Sequence, residues 1–239
     1  MKNQQITLLK EREVLRTLLL RSLPLGITPS ERYNVEYEFR HELEGSLYSF
    51  DSHIFSLLEE ILKNCSKRSI IIDAGAGNGQ LLKYIRQLGF YNLIGIDISS
   101  KSIDLIEKFG INCFCGRIES SPVMYNSIDI LFLSYFIDRD SDQARTFIHS
   151  INLLKRNGTL VIEGLFPCVL VDSNGVNYGP ANVTRGKDAL EDIFLAINFL
   201  EREGLKLTKM IRGNRKVFSL DGLEELSSDI LIFKKIRKN

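Results

Sequence analysis

The chain of 239 residues has no surplus of charge of either sign: Lys and Arg total 31 against 30 Asp and Glu. Proteins that grip nucleic acid usually carry a basic surplus, because neutralising phosphates releases their counterions. Its absence disfavours nucleic acid as a partner, and the basic run "FKKIRKN" near the C-terminus reads as a solvated tail. A long apolar run is missing too. The apolar early stretch "ITLLKEREVLRTLLLRSL" is broken by Lys10, Glu11, Arg12, Glu13 and Arg16, so it is too charged and too short to span a bilayer. Its Ile6, Leu9, Leu15, Leu18 and Leu19 share a helical stripe, as in an amphipathic helix packed on the main domain or on a second subunit. The early glutamates argue against a transit peptide, and there is no signal-peptide pattern. A cytoplasmic protein, monomeric or homodimeric and without a membrane partner, is expected.

Cysteine is scarce: Cys65, Cys113, Cys115 and Cys168. No Cys/His cluster with finger-like spacing accompanies them, so no metal site is expected and buried free thiols in a reducing compartment are the plain account. Cys113 and Cys115 alternate within "INCFCG" and should point to one face of a strand. Internal repeats, low-complexity tracts and a composition break that would demand a second domain are absent.

What is present, from Ser69 onward, is a rhythm of apolar runs and amphipathic segments. "SIIID", "NLIGIDI", "INCFCG", "SIDILFLSYF" and "GTLVIEGLF" read as strands. Gln80 to Leu88, "KSIDLIEKF", "SDQARTFIHSINLLK" and "KDALEDIFLAINFLEREG", ended by Gly204, read as helices. "LKLTKMI" and "DILIFKKI" are expected as a last strand pair, joined by the polar stretch "RGNRKVFSLDGLEELSS". Strands so uniformly apolar suit a sheet covered on both faces. The expected fold is α/β: a seven-stranded, doubly wound, mostly parallel sheet with helices on both faces and an N-terminal helical appendage. Residues 1–65 are expected as that appendage and 66–239 as the main domain. The Gly-, Asn- and Pro-rich stretch from about 167 to 186 is expected to be a lid or substrate loop.

The strongest local signal is "SIIIDAGAGNGQLLKYI", Ser69 to Ile85. Glycine tolerates positive φ and lets backbone approach a ligand, and a helix starting just beyond aims its N–H groups at the bound molecule. Asp97 ends the second strand, about 24 residues after Asp73, where an acid can accept hydrogen bonds from both hydroxyls of a ribose. Together they point to an adenosine-containing ligand. The spacing Gly75-Ala-Gly77-Asn-Gly79, followed by Gln80 rather than a small residue, departs from the dinucleotide fingerprint. The P-loop's G-K-S/T is absent. Asp73 would sit badly beside a pyrophosphate and well beside an ammonium group. A nicotinamide dehydrogenase stays open as a lesser reading.

"IIDAGAGNG", "IGIDIS", "SIDILFLSYF" and "LLKRNGTLVIEG", in this order and spacing, resemble the class I S-adenosylmethionine-dependent methyltransferases, firmly over about residues 65 to 165. The resemblance implies S-adenosylmethionine as cofactor and S-adenosylhomocysteine as product. It implies that Asp73, Gly75 and Gly77 line the methionine portion, with the backbone from Ala74 through Ala76 and Asn78 to Gly79 passing close by. Asp97 would hold the ribose hydroxyls and Ile98 would press on the adenine. Arg117 stands where many members have an aspartate, so the adenine contact is expected from Glu119 or the backbone around Ile118. Ser134 and Tyr135 would border the reacting methyl.

For the chemistry, His41 before the core domain, Asp138 and Arg139 after the fourth strand, and Tyr178 in the long loop are the candidate catalytic residues, with Glu163 also placed to face an acceptor. Tyr33, Tyr37 and Tyr48 are candidates for aromatic walls, and His53 and His149 read as structural. The fourth strand ends "LSYFIDRD", without the N/D-P-P-Y/F tetrapeptide of base and glutamine-amide methylation. Methyl transfer to an oxygen or nitrogen of a small molecule is the expected activity. A peptide or protein amine, to which "CGRIESSP" has some likeness, and a non-catalytic cofactor-binding or scaffold subunit are the alternatives.

Overall fold

In the computed structural model, residues 28, 30, 31, 34, 53–134, 143–164, 189–212, 214–219, 222–227 and 229–236 are described below. Each apolar run from Ile71 onward forms a strand, because β-branched and aromatic side chains pack on both faces of a pleated surface. The strands are β1 (Ile71–Ala74), β2 (Leu93–Asp97), β3 (Asn112–Cys115), β4 (Ile128–Ser134), β5 (Leu154–Gly164), β6 (Leu205–Ile211), β7 (Asn214–Ser219), β8 (Gly222–Ser227) and β9 (Asp229–Lys235). The helices are α1 (His53–Leu62), α2 (Gln80–Gln87), α3 (Ser100–Glu107), α4 (Gln143–Leu153) and α5 (Ala189–Arg202).

Seven strands form one sheet in the order β3-β2-β1-β4-β5-β9-β6. β1 through β5 run parallel, and β9 inserts antiparallel between β5 and β6. The strand order reverses at β1, between β2 and β4, which places a crevice at the carboxyl ends of those strands.

Side-chain alternation divides the core into two layers. Ile72, Ala74, Leu131, Leu133, Leu160 and Ile162 face α4 and α5, whose Phe147, Ile151, Ala196 and Leu200 cover them. Ile71, Leu93, Ile130, Phe132 and Val161 face the other way, against Ile54, Leu58 and Leu62 of α1, Leu82 and Ile85 of α2 and Ile106 of α3. The sheet is thus doubly wound, as the apolar runs require. Helix α1 comes from the stretch expected as an appendage, yet Leu58 is fully buried and Ile54 nearly so. Burial of each such side chain contributes about 1.5–3 kcal/mol, so α1 is a layer of the domain itself.

Three details differ from expectation. The polar stretch between β6 and β9 contains an antiparallel hairpin, β7 with β8, paired from Asn214–Ser227 to Ser219–Gly222. Helix α4 stops at Leu153 and β5 begins at once, with a register irregularity between Ile128 and Ile130 and a left-handed Asn157 (φ 64°). The thiols are free at Cys65, Cys113 and Cys115 but not buried: Cys115 is exposed and the other two are half-buried; Cys113 and Cys115 lie on β3, the sheet's edge strand. The helix end at Gly204 is as expected, with φ 93° and its N–H donating to Glu201. The N-terminal stripe from Ile6 to Leu19, Cys168 and the loop at about 167–186 lie outside the described residues. Among the described residues, no helix is long and apolar enough to cross a membrane.

Candidate functional site

The turn after β1 uses three glycines in conformations that L side chains rarely adopt: Gly75 at φ 78°, Gly77 at φ 54° and Gly79 at φ 75°. Gly75 and Ala76 both donate to the Ile96 carbonyl, at 2.8 and 3.1 Å, which docks the turn on β2. Gly79 caps α2 with no side-chain hydrogen bond of its own, and of the helix's first N–H groups that of Gln80 donates to Asn78 Oδ1 at 3.3 Å. Space is also tight there. A Cβ on Gly79 would come within 2.9 Å of Ile106 Cγ1.

Asp97, 7% exposed, joins this turn to the β2–α3 loop. Its Oδ2 accepts from Gly77 N–H at 2.9 Å and its Oδ1 from Ser99 N–H at 2.8 Å. Burial raises its pKa against the lowering effect of those hydrogen bonds and of the Ser102 side chain.

Asp73 lies at the third position of β1, 2% exposed. Its Oδ1 has no hydrogen-bond partner among the described residues. Burial, then the charges of Asp97 and Glu163, push its pKa up to about 8. Among the described residues no cation lowers its pKa, and a cationic ligand would supply a counter-charge.

Alternation along the strands puts Asp97, Asp73, Ser134 and Glu163 on one face of the sheet, the face of α1, α2 and α3, at the ends of β2, β1, β4 and β5. Ser134 and Glu163 are register partners. The Ser134 hydroxyl is buried with no partner among the described residues, and Glu163 is 3% exposed. One sheet edge therefore carries three buried carboxyl groups and a hydroxyl over an otherwise apolar layer.

The other expected cofactor residues separate. Asn78 is close, its Oδ1 accepting from Gln80 N–H at 3.3 Å. Ala74 is fully buried in the α4–α5 layer and Ala76 in the opposite one. Ile98 is half-buried at the end of β2. Arg117 is exposed, Ile118 is fully buried in the core, and the Glu119 carboxylate accepts from the Thr146 hydroxyl of α4. Tyr135, Asp138, Arg139, His41, Tyr178, Tyr33, Tyr37 and Tyr48 lie outside the described residues. His149 is half-buried, its pKa lowered by desolvation, with Tyr125 edge-on at 5.5 Å. Desolvation and Glu107 push the Cys113 thiol up to about 11, and desolvation also raises that of Cys115. Both are thus held as thiols, poor metal ligands. Among the described residues no group of three His, Cys, Asp or Glu could hold a metal ion.

Two residues near the N-terminus, Ser30 and Asn34, also reach the site. The Ser30 hydroxyl donates to the Ile98 carbonyl at 2.6 Å, and the Ser99 hydroxyl donates to Asn34 Oδ1 at 2.7 Å. Thr28 N–H and hydroxyl donate to Glu31 Oε2, at 2.9 and 2.7 Å, while Glu31 N–H donates to the Thr28 hydroxyl at 3.3 Å. This is a reciprocal capping box, and its "TPSE" sequence is a readable helix start. The partner of that start was not readable.

The residues suit an adenosyl sulfonium: an acid that could take ribose hydroxyls, a buried carboxyl whose Oδ1 has no partner among the described residues, and a left-handed glycine turn with no room for a Cβ at Gly79. Comparison with known proteins agrees. Residues 72–162 match the methyltransferase-domain family. No protein of curated function matches the chain in sequence. Among solved structures, an S-adenosylmethionine-dependent methyltransferase from Methanosarcina mazei superposes at TM-score 0.53 with 15% identity, covering 75% of this chain and 98% of its own. Geranyl diphosphate C-methyltransferase from Streptomyces coelicolor A3(2), in complex with S-adenosyl-L-homocysteine, superposes at TM-score 0.57 with 11% identity, covering 94% and 98%. The cyclase SpnF superposes at TM-score 0.58 with 13% identity, covering 90% and 99%. At these identities the superpositions establish the fold. Residues 72–162 thus form a methyltransferase domain, carried on a sheet with the strand order of the class I methyltransferase fold.

Proposed function

We propose that the protein transfers a methyl group from S-adenosylmethionine to an oxygen or nitrogen of a small-molecule acceptor. The observation that carries this reading is the buried carboxyl of Asp73 beside the glycine turn, whose Oδ1 has no partner among the described residues. Once ionised, it offers a counter-charge to the methionine end of the cofactor. Asp97 is oriented by Gly77 and Ser99 to receive the ribose hydroxyls. When bound, S-adenosylmethionine supplies a methyl group already activated on a positive sulfur. The protein's own work is then to orient the acceptor in line with that methyl and to exclude water. Ser134 and Glu163 continue the polar row beyond Asp73, on the side where an acceptor would meet the methyl. An acceptor X–H that must lose a proton needs a base within hydrogen-bond reach, and the Glu163 carboxylate is the candidate among the described residues.

Near-neutral charge and the lack of a base-methylating tetrapeptide support a small acceptor over nucleic acid. The test is incubation of the full chain with methyl-labelled cofactor and a panel of small metabolites, with cell peptides and RNA as separate arms. Label in an O- or N-methylated metabolite is expected. Label only in peptide, only in RNA, or only on carbon, the acceptor named for the S. coelicolor neighbour, would overturn the proposal.

A further inference from the structure

The site described so far uses groups on the sheet and its loops. Two residues far away in sequence, Ser30 and Asn34, complete a chain of hydrogen bonds into it. Asn34 Oδ1 accepts from the Ser99 hydroxyl at 2.7 Å, across 65 residues of sequence. Ser99 is fully buried and caps α3, its hydroxyl accepting from Ser102 N–H at 3.3 Å. The Ser99 N–H donates to Asp97 Oδ1 at 2.8 Å, and Asp97 Oδ2 accepts from Gly77 N–H at 2.9 Å. The path thus runs from Asn34 through Ser99 and Asp97 into the glycine turn. A second strut lies beside it: the Ser30 hydroxyl donates to the carbonyl of Ile98, the residue between Asp97 and Ser99, at 2.6 Å.

Ser30 and Asn34 are both helical and four residues apart, so they lie on one helix face. The Thr28–Glu31 capping box fixes where that helix begins. Both side chains are half-buried. The β2–α3 loop is therefore gripped from two sides: by the glycine turn through Asp97, and by the N-terminal helix through Ile98 and Ser99.

We propose that Asn34 and Ser30 are positioning residues for the adenosine half of the cofactor site, holding the loop that aims the Asp97 carboxylate at the ribose. The inference rests on the ribose role of Asp97. It assigns this N-terminal helix to the donor rather than the acceptor side. Neither residue touches the ribose in this scheme; each acts through the loop. Losing one hydrogen bond of this kind weakens what it orients by roughly fivefold.

The test is calorimetric titration of the full chain with S-adenosylhomocysteine and with its 2′-deoxyribose analogue. The wild type should prefer the ribose ligand. Asn34→Ala should weaken the ribose ligand about fivefold and leave the deoxy analogue nearly unchanged, so the preference shrinks. Ser99→Ala should do the same, and the double variant should lose no more than either single one, since one path is cut twice. Ser30→Ala, which leaves the Asn34 bond intact, gives an independent arm with a similar loss. Variants that keep the full ribose preference would overturn the proposal. So would equal losses for both ligands, which mark a merely structural role. Failure of the wild type to bind S-adenosylhomocysteine at all would instead sink the cofactor reading beneath it.

Discussion

Asp73 sets the electrostatics of the site. Burial and two neighbouring acids raise its pKa from 3.8 to about 8. In the unfolded chain the group ionises near pH 4, while in the fold it stays protonated until about pH 8. Folding stability therefore falls as pH rises between those values and is flat above. Asp73→Asn removes the penalty: the variant should melt higher than the wild type at pH 8 and at the same temperature near pH 4, in paired thermal melts. The same group works in the opposite sense for a cation, whose binding favours the ionised form. Affinity for S-adenosylmethionine should rise as pH climbs toward about 8 and be accompanied by proton release. Titrations in buffers of different ionisation heat measure that release, and Asp73→Asn should abolish the Asp73-dependent rise while weakening binding.

At the scale of elements, the turn from β1 to α2 is over-determined by sterics. Gly79 is left-handed, and a Cβ there would strike Ile106 Cγ1 at 2.9 Å. Gly79→Ala should destabilise the protein by about 1–3 kcal/mol, read as a lower denaturant midpoint. It should also weaken cofactor binding, because α2 would shift away from α3. This turn was legible in the sequence, since glycine at three alternate positions after an apolar run has few other uses. The strands of the large sheet were legible for the same kind of reason. Burial on both faces leaves runs such as "ILFL" with no polar interruption. The hairpin β7–β8 was not legible, because "NRKVFS" and "GLEELS" lack such apolar runs. The thiols of β3 were misjudged because edge position depends on strand order, which no local pattern encodes. "TPSE" announces a helix start, but its docking on Ser99 is a contact across 65 residues.

On the scale of the whole molecule, two apolar layers hold the sheet, and the polar row sits at the end of one of them. That layer is built by α1, α2 and α3. Helix α1 therefore belongs to the frame beneath the site. Leu58→Ala should lower stability by about 2–5 kcal/mol, seen as a reduced denaturant midpoint with unchanged slope. An exposed appendage would give almost no change.

The central claim is that this frame binds an adenosyl sulfonium and its product through Asp97 and Asp73. Calorimetric titration of the full chain with S-adenosylhomocysteine tests it most directly, with NADH as the competing ligand. Saturable one-to-one binding is expected, weakened about ten- to a hundredfold by Asp97→Ala, as for a lost hydrogen bond to a charged group. No binding of S-adenosylhomocysteine, binding of NADH in its place, or an Asp97→Ala variant of unchanged affinity would contradict the account.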